Sequence, residues 1–186
     1  KLSMQVLKPE PDSPLADFSD ILIQDGSSFT LKRALRHVFP GRFTKQWPAA
    51  VEVHATYSGY HDNPLSVSIA PDKDAERPFL PAPEALKGKL LLADRGYPSV
   101  GFFQKMTDAG ASFVIRLQRS LNPLVIAVRT KRGRSPLRRP IPLNQFLSQH
   151  QNRVLDLDVE SRRKGGGFFR IVVIPGNKEN DIVRLA

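Results

Sequence analysis

The sequence predicts an α/β protein: a mixed sheet with helices, followed by a β-rich subdomain. Three observations carry this. Short apolar runs that end in turn residues alternate with helical periodicity up to about residue 118. The texture then changes to short β-rich runs separated by basic loops. Apolar residues make up 40% of the 186 residues, enough for a real core.

The elements follow in order. Residues 1–19 hold Pro9, Pro11 and Pro14 among several acids and read as an arm or linker. Ile21-Leu22-Ile23 is a buried strand that stops at Gln24-Asp25-Gly26. A helix over about 29–38 is expected next, capped by Ser27 or Ser28, with Leu31, Leu35 and Val38 on its apolar face and Pro40-Gly41 as its stop. Residues 50–57 and 65–70 form a hairpin with Tyr60 to Pro64 in the turn. Asp72 to Pro83 is polar and Pro-interrupted, hence irregular. Leu90 to Ala93 is a second buried strand, ending at Asp94-Arg95-Gly96-Tyr97. A helix over about 99–109 buries Phe102, Phe103 and Met106, and Gly110 stops it. Residues 112–118 form another strand. Beyond lie β runs at 124–129, 153–160, 168–174 and 181–185, a short helix at 142–149, and basic loops at Lys131 to Arg139 and Ser161 to Gly167. The expected division is an arm (1–19), an α/β core (20–118) and a basic β-rich subdomain (119–186).

Composition narrows the function. There is no cysteine, which removes disulfides, thiolate metal sites and cysteine nucleophiles. The four histidines show no zinc spacing. No run is apolar enough to span a membrane, and no signal peptide is visible. A cytoplasmic protein is expected. The chain opens on Lys1, not Met, as an excised piece would.

Net charge is +10, which favours a polyanionic partner. Residues 119–170 hold twelve Lys and Arg against three acids, whereas the first 118 residues hold fourteen against thirteen. Arg129, Lys131, Arg132, Arg134, Arg138 and Arg139 have the character of a phosphate-binding surface, and so do Arg162, Arg163 and Lys164 beside Gly165-Gly166-Gly167. The competing reading is a solvated basic loop with a mobile glycine tip. Few aromatics are interleaved there, so base stacking is not indicated.

Two buried strands each end in an aspartate, Asp25 and Asp94. The C-terminal edge of an α/β sheet is where ligands bind. If the strands are neighbours, the carboxylates converge and need a cation between them. Hard oxygen ligands favour Mg²⁺ or Mn²⁺, and paired divalent ions suit in-line attack on phosphate esters. The competing reading makes Asp25 a mere cap for the helix after it.

The run Ile23-Gln24-Asp25-Gly26-Ser27-Ser28-Phe29 resembles the first catalytic motif of insertion-sequence DDE transposases. Leu91-Leu92-Ala93-Asp94-Arg95-Gly96-Tyr97 resembles the second, which reads D-R-G-Y in many members. Phe39-Pro40-Gly41, Val53-His54 and Phe113-Val114-Ile115-Arg116 are similar as well. The likeness is to the insertion sequence four group and covers residues 20–118. It implies a ribonuclease-H-like core, in which Asp25 and Asp94 bind the catalytic metals. Arg95 and Tyr97 would then shape the site, and Arg116 would meet DNA at its edge. The other readings are a packed ring for Tyr97 and a surface strand residue for Arg116. The implied protein acts on double-stranded DNA at transposon ends and target, as a homodimer, in a bacterial cytoplasm and nucleoid. The family's third motif, Y-x-x-R-x-x-x-E, is absent. Glu160 and Glu179 lack the Tyr and Arg at those offsets. The glutamate helix is therefore expected beyond residue 186, the segment 119–186 is the subdomain many of these enzymes insert before it, and this piece alone is expected to be inactive. Two other functions remain open at this point: a ribonuclease-H-like nuclease without strand transfer, and a non-catalytic DNA-binding or assembly module left by a truncated transposase.

Overall fold

The computed structural model describes residues 9–94, 96, 99–118, 120–162 and 167–175, and the backbone of 182–185. A first sheet has the order β3-β2-β1-β4-β5. Strand β1 (Ile21–Thr30) pairs antiparallel with β2 (Ala50–Ser58), and β2 with β3 (Asn63–Pro71). The short β4 (Leu90–Ala93) lies parallel to β1, and β5 (Ser112–Ile115) parallel to β4. Three long antiparallel strands followed by two parallel ones make the ribonuclease-H-like arrangement. The parallel step from β4 to β5 needs a crossover, and α1 (Val100–Asp108) supplies it. The Ser99 hydroxyl caps α1 by accepting from the Phe102 N–H, and Gly110, at φ 67°, ends it.

One expectation fails here. No helix occupies 29–38. β1 continues through Asp25 to Thr30, and only a 3-10 turn at Arg33–His37 follows. Gln24 to Ser28 is poor in β-formers, but β2 pairs with it residue by residue, from Leu22↔Ser58 to Thr30↔Ala50. Tertiary pairing overrides local preference. Asp25 therefore lies inside a strand and caps no helix.

The second sheet is antiparallel, in the order β10-β9-β8-β6-β7. It consists of β6 (Leu124–Thr130), β7 (Gly133–Pro142), β8 (Leu155–Glu160), β9 (Phe168–Pro175) and β10 (Ile182–Leu185), with α2 (Leu143–Gln149) after β7. The predicted basic loop at 131–139 is instead the β6–β7 turn and most of β7. β7 contains Pro136, Pro140 and Pro142 and sits at the sheet edge, where a missing N–H donor is tolerated.

The cores meet at α1. Met106 packs with Leu22, Leu86 and Leu91 beneath the first sheet. Phe103 joins Val125, Leu157, Val159 and Ile171 of the second. Its ring lies 5.0 Å from Phe113 and 5.2 Å from Phe169.

The buried face of the β1–β2 pair is polar. Thr56 Oγ1 donates to Gln24 Oε1 (2.5 Å), and Ser58 Oγ to Asp20 Oδ2 (2.7 Å). The opposite face of the first sheet is open. Ile23, Phe29, Val67, Ile69 and Val114 are all exposed there.

Candidate functional site

The site follows from strand register. β1 and β4 pair as Ile23↔Leu92 and Gln24↔Ala93, so the next positions are Asp25 and Asp94. β4 and β5 pair as Leu92↔Val114 and Ala93↔Ile115, and the Arg116 N–H reaches the Ala93 carbonyl (3.3 Å), which carries the ladder one residue further. Asp25, Asp94 and Arg116 thus form a row across three parallel strands about 4.8 Å apart. Side chains alternate between faces. Gln24, before Asp25, is buried, and Ile115, before Arg116, is buried, while Asp25, Asp94 and Arg116 are all exposed. Asp25 shares the open face with Ile23, and Arg116 with Val114; Asp94, one residue past the end of β4, is exposed at the same edge.

Two adjacent exposed carboxylates with a guanidinium beside them can hold a divalent cation and a phosphate together. Among the described residues no group of three or more His, Cys, Asp or Glu side chains is arranged to hold a metal. Asp25 and Asp94 stand as a pair.

Asp94 also lines a cleft of about 720 Å³ with Asp74, Glu76, Arg77 and Gly96. Arg42 crosses it, with Nη2 3.1 Å from Glu52 and 3.2 Å from Glu76. Burial, and then the nearby Glu76 carboxylate, push the Glu52 carboxyl above its ordinary range. His54 is buried and stacks on Phe79 at 3.9 Å. Burial holds its imidazole below the usual histidine range. Gly96 abuts Glu76 so closely that a Cβ there would fall 1.7 Å from a carboxylate oxygen. Sequence reasoning singled out none of Arg42, Glu52, Asp74 and Glu76. They come from three separate segments, and no local pattern joins them.

The basic residues divide. Arg129 and Arg134 turn their Nε atoms onto Asp158, each at 2.6 Å. Arg170 makes a two-bond fork with Asp156 (2.7 and 2.6 Å). Burial alone would raise the Asp158 carboxyl, but the bonds from Arg129 and Arg134 outweigh it and hold it below the ordinary range. Lys131 and Arg132 are exposed in the β6–β7 turn. Arg138 and Arg139 are exposed on β7, where five residue steps from Pro136 to Ile141 face two on β6. Arg162 is exposed as well. Arg95, Tyr97, Arg163 and Lys164 lie outside the described residues.

Comparison with known proteins adds the last finding. A transposase DDE domain family matches residues 16–164. The chain is also similar to a transposase for insertion sequence element IS231F from Bacillus thuringiensis subsp. israelensis, 25% identical over 115 residues. That stretch covers 60% of this chain and 24% of the relative, so the chain spans about a quarter of the length of the curated relative it matches.

Proposed function

This chain belongs to the transposase DDE domain family, and from that premise we propose that Asp25 and Asp94 are two metal-binding carboxylates of a DNA strand-cleavage and strand-transfer site. The observation that supports the proposal is the parallel β1–β4 register, whose last pair, Gln24↔Ala93, immediately precedes the two aspartates. The third acidic ligand comes from outside the described residues, on a segment that covers the open face of Ile23, Val67 and Ile69. Mg²⁺ or Mn²⁺ held there would activate the attacking water or 3′-hydroxyl and stabilise the leaving oxygen. Arg116, next in the row, holds a phosphate of the reacting strand by its planar fork. Arg95 and Tyr97, one and three residues after Asp94 in the sequence, are assigned to the same site by the family motif.

The second sheet supplies grip. Lys131, Arg132, Arg138, Arg139 and Arg162, with Arg163 and Lys164, add sequence-neutral, salt-dependent affinity for double-stranded DNA. Arg129 and Arg134 contribute less, because Asp158 offsets part of their charge. The full protein acts on transposon ends and target as a homodimer in the bacterial cytoplasm. No described helix is long and apolar enough to cross a membrane. The 186-residue chain alone is inactive, since two carboxylates hold Mg²⁺ weakly.

The test is Mn²⁺ binding, followed by paramagnetic resonance, in this chain and in Asp25→Asn and Asp94→Asn, alongside strand cleavage and transfer by the full-length protein. Each substitution should weaken Mn²⁺ binding at least tenfold and abolish cleavage with the fold intact. Unchanged Mn²⁺ affinity in both variants would sink the assignment. Cleavage without joining of the 3′-hydroxyl would identify a nuclease instead.

A further inference from the structure

No acidic residue occurs between Asp25 and Glu52, whereas Lys32, Arg33, Arg36, Arg42 and Lys45 all do. The near-neutral total of the first 118 residues hides this cluster. In the fold it becomes the connection from β1 to β2. There, Thr30, Arg33, Arg36, Lys45 and Trp47 line an open groove of about 870 Å³ together with His37. Arg42 turns away to Glu52 and Glu76. Arg33, Arg36 and Lys45 form no ion pair among the described residues; Arg36 Nε reaches only the His37 ring (3.2 Å).

The wall of the groove is an aromatic held in place. The Trp47 side is 49% exposed, and Phe43 meets it edge to face, with centroids 6.0 Å apart at 78°. The backbone around it is pinned on both sides. Trp47 N–H donates to the Phe43 carbonyl (2.8 Å), Gly41 N–H to the Pro48 carbonyl (3.2 Å), and Ala50 N–H to the Phe39 carbonyl (3.1 Å). Gly41 lies so close to the Trp47 carbonyl that a Cβ would sit 2.1 Å from its oxygen. The backbone that carries the indole is fixed, and the ring packs against Phe43.

We propose that this groove binds unpaired nucleotides of a DNA strand, with a base stacked on Trp47 and the backbone phosphates held by Arg33, Arg36 and Lys45. Every base has a π-face, but only an unpaired one can offer it to a protein side chain. A groove of this size takes one or two nucleotides, not the width of a duplex. Thr30, on its rim, is five residues past Asp25 along β1, or about 17 Å at the strand rise. The groove therefore holds unpaired DNA a few nucleotides from the carboxylates. This deepens the DNA-processing reading and rests on it for the identity of the polymer.

Trp47 is the sole tryptophan, so its fluorescence reports on the groove alone. The full chain is titrated with a single-stranded DNA 12-mer and with a blunt duplex of the same length, and total binding is followed separately by anisotropy. The single strand should quench Trp47 strongly, and the duplex weakly. Trp47→Ala should lose about tenfold in single-strand affinity with duplex affinity unchanged, and Trp47→Phe should keep most of it. Arg33→Ala with Arg36→Ala should flatten the salt dependence by about two phosphates. Quenching should be the same with Mn²⁺ and with a chelator at matched ionic strength, which separates failure of the groove from failure of the metal site. Saturated binding without quenching would overturn the proposal. So would Trp47→Ala binding the single strand normally, or heparin quenching as deeply as the single strand.

Discussion

Replacing Asp158 by Asn should weaken this protein by about 2–3 kcal/mol at pH 7. The carboxylate is nearly buried and accepts two charged N–H bonds of 2.6 Å, from Arg129 and Arg134. Charge-assisted bonds of this kind are worth about 1.5–3 kcal/mol each when sheltered. Here the arginine side chains are 45% and 51% exposed, which lowers the figure to about 1 kcal/mol each. Asn keeps one acceptor oxygen but turns an NH₂ against an Nε–H. It also leaves Arg129 and Arg134, cross-strand partners in register, as like charges face to face. At about 2–4 °C per kcal/mol for this chain length, Tm should fall by about 5–10 °C. The folded carboxyl titrates below its unfolded value near 3.9. Its contribution is therefore complete above about pH 5 and fades as pH falls through the folded value, so variant and wild type should converge in acid. Thermal unfolding by circular dichroism from pH 7 downward tests this. A loss under about 0.5 kcal/mol at pH 7, or a gap that stays constant into acid, would refute the reasoning.

Two further outcomes are expected. Phe103→Ala removes a ring that is 2% exposed and packed against Phe113 of the first sheet and Phe169 of the second. It should cost about 3–5 kcal/mol and lower the denaturant midpoint for both sheets together, in one transition; two separated transitions in the wild type would contradict the shared core. His54 is held neutral by burial, so its folded value lies below its unfolded one. Its contribution is complete above about pH 6.5 and declines as pH falls from there toward the folded value. In His54→Gln, urea midpoints measured across pH 7.5–5 should lose that slope, and an unchanged slope would assign it to another group.

Much of the fold was legible because the apolar runs are strong. Leu90 to Ala93 and the periodicity of Phe102, Phe103 and Met106 placed β4 and α1 within a residue or two. β1 was cut short because Gln24 to Ser28 has no strand preference of its own and is extended by β2. β7 was hidden by three prolines and three arginines, which read as a loop until the edge position explains them. The row of Asp25, Asp94 and Arg116 needed only that the strands be neighbours, which the motifs suggested and the register supplies. The fates of Arg129 and Arg134 were not legible. Their partner Asp158 lies 29 and 24 residues away, and its meaning depends on which strand lands beside β6. The groove at Trp47 was concealed in a different way, by averaging charge over a segment in which acids elsewhere cancel it.

Because Asp25 sits within a paired strand, its placement is set by counting residues and not by the chemistry of its neighbours. Losing one residue between Ile21 and Asp25 would turn the carboxylate toward the buried face, where Gln24 and Thr56 now meet. Exchanges at exposed positions of β1 such as Ile23 and Phe29 leave that count intact, whereas a single-codon insertion or deletion between Ile21 and Asp25 would disable the proposed site with both aspartates still in the sequence.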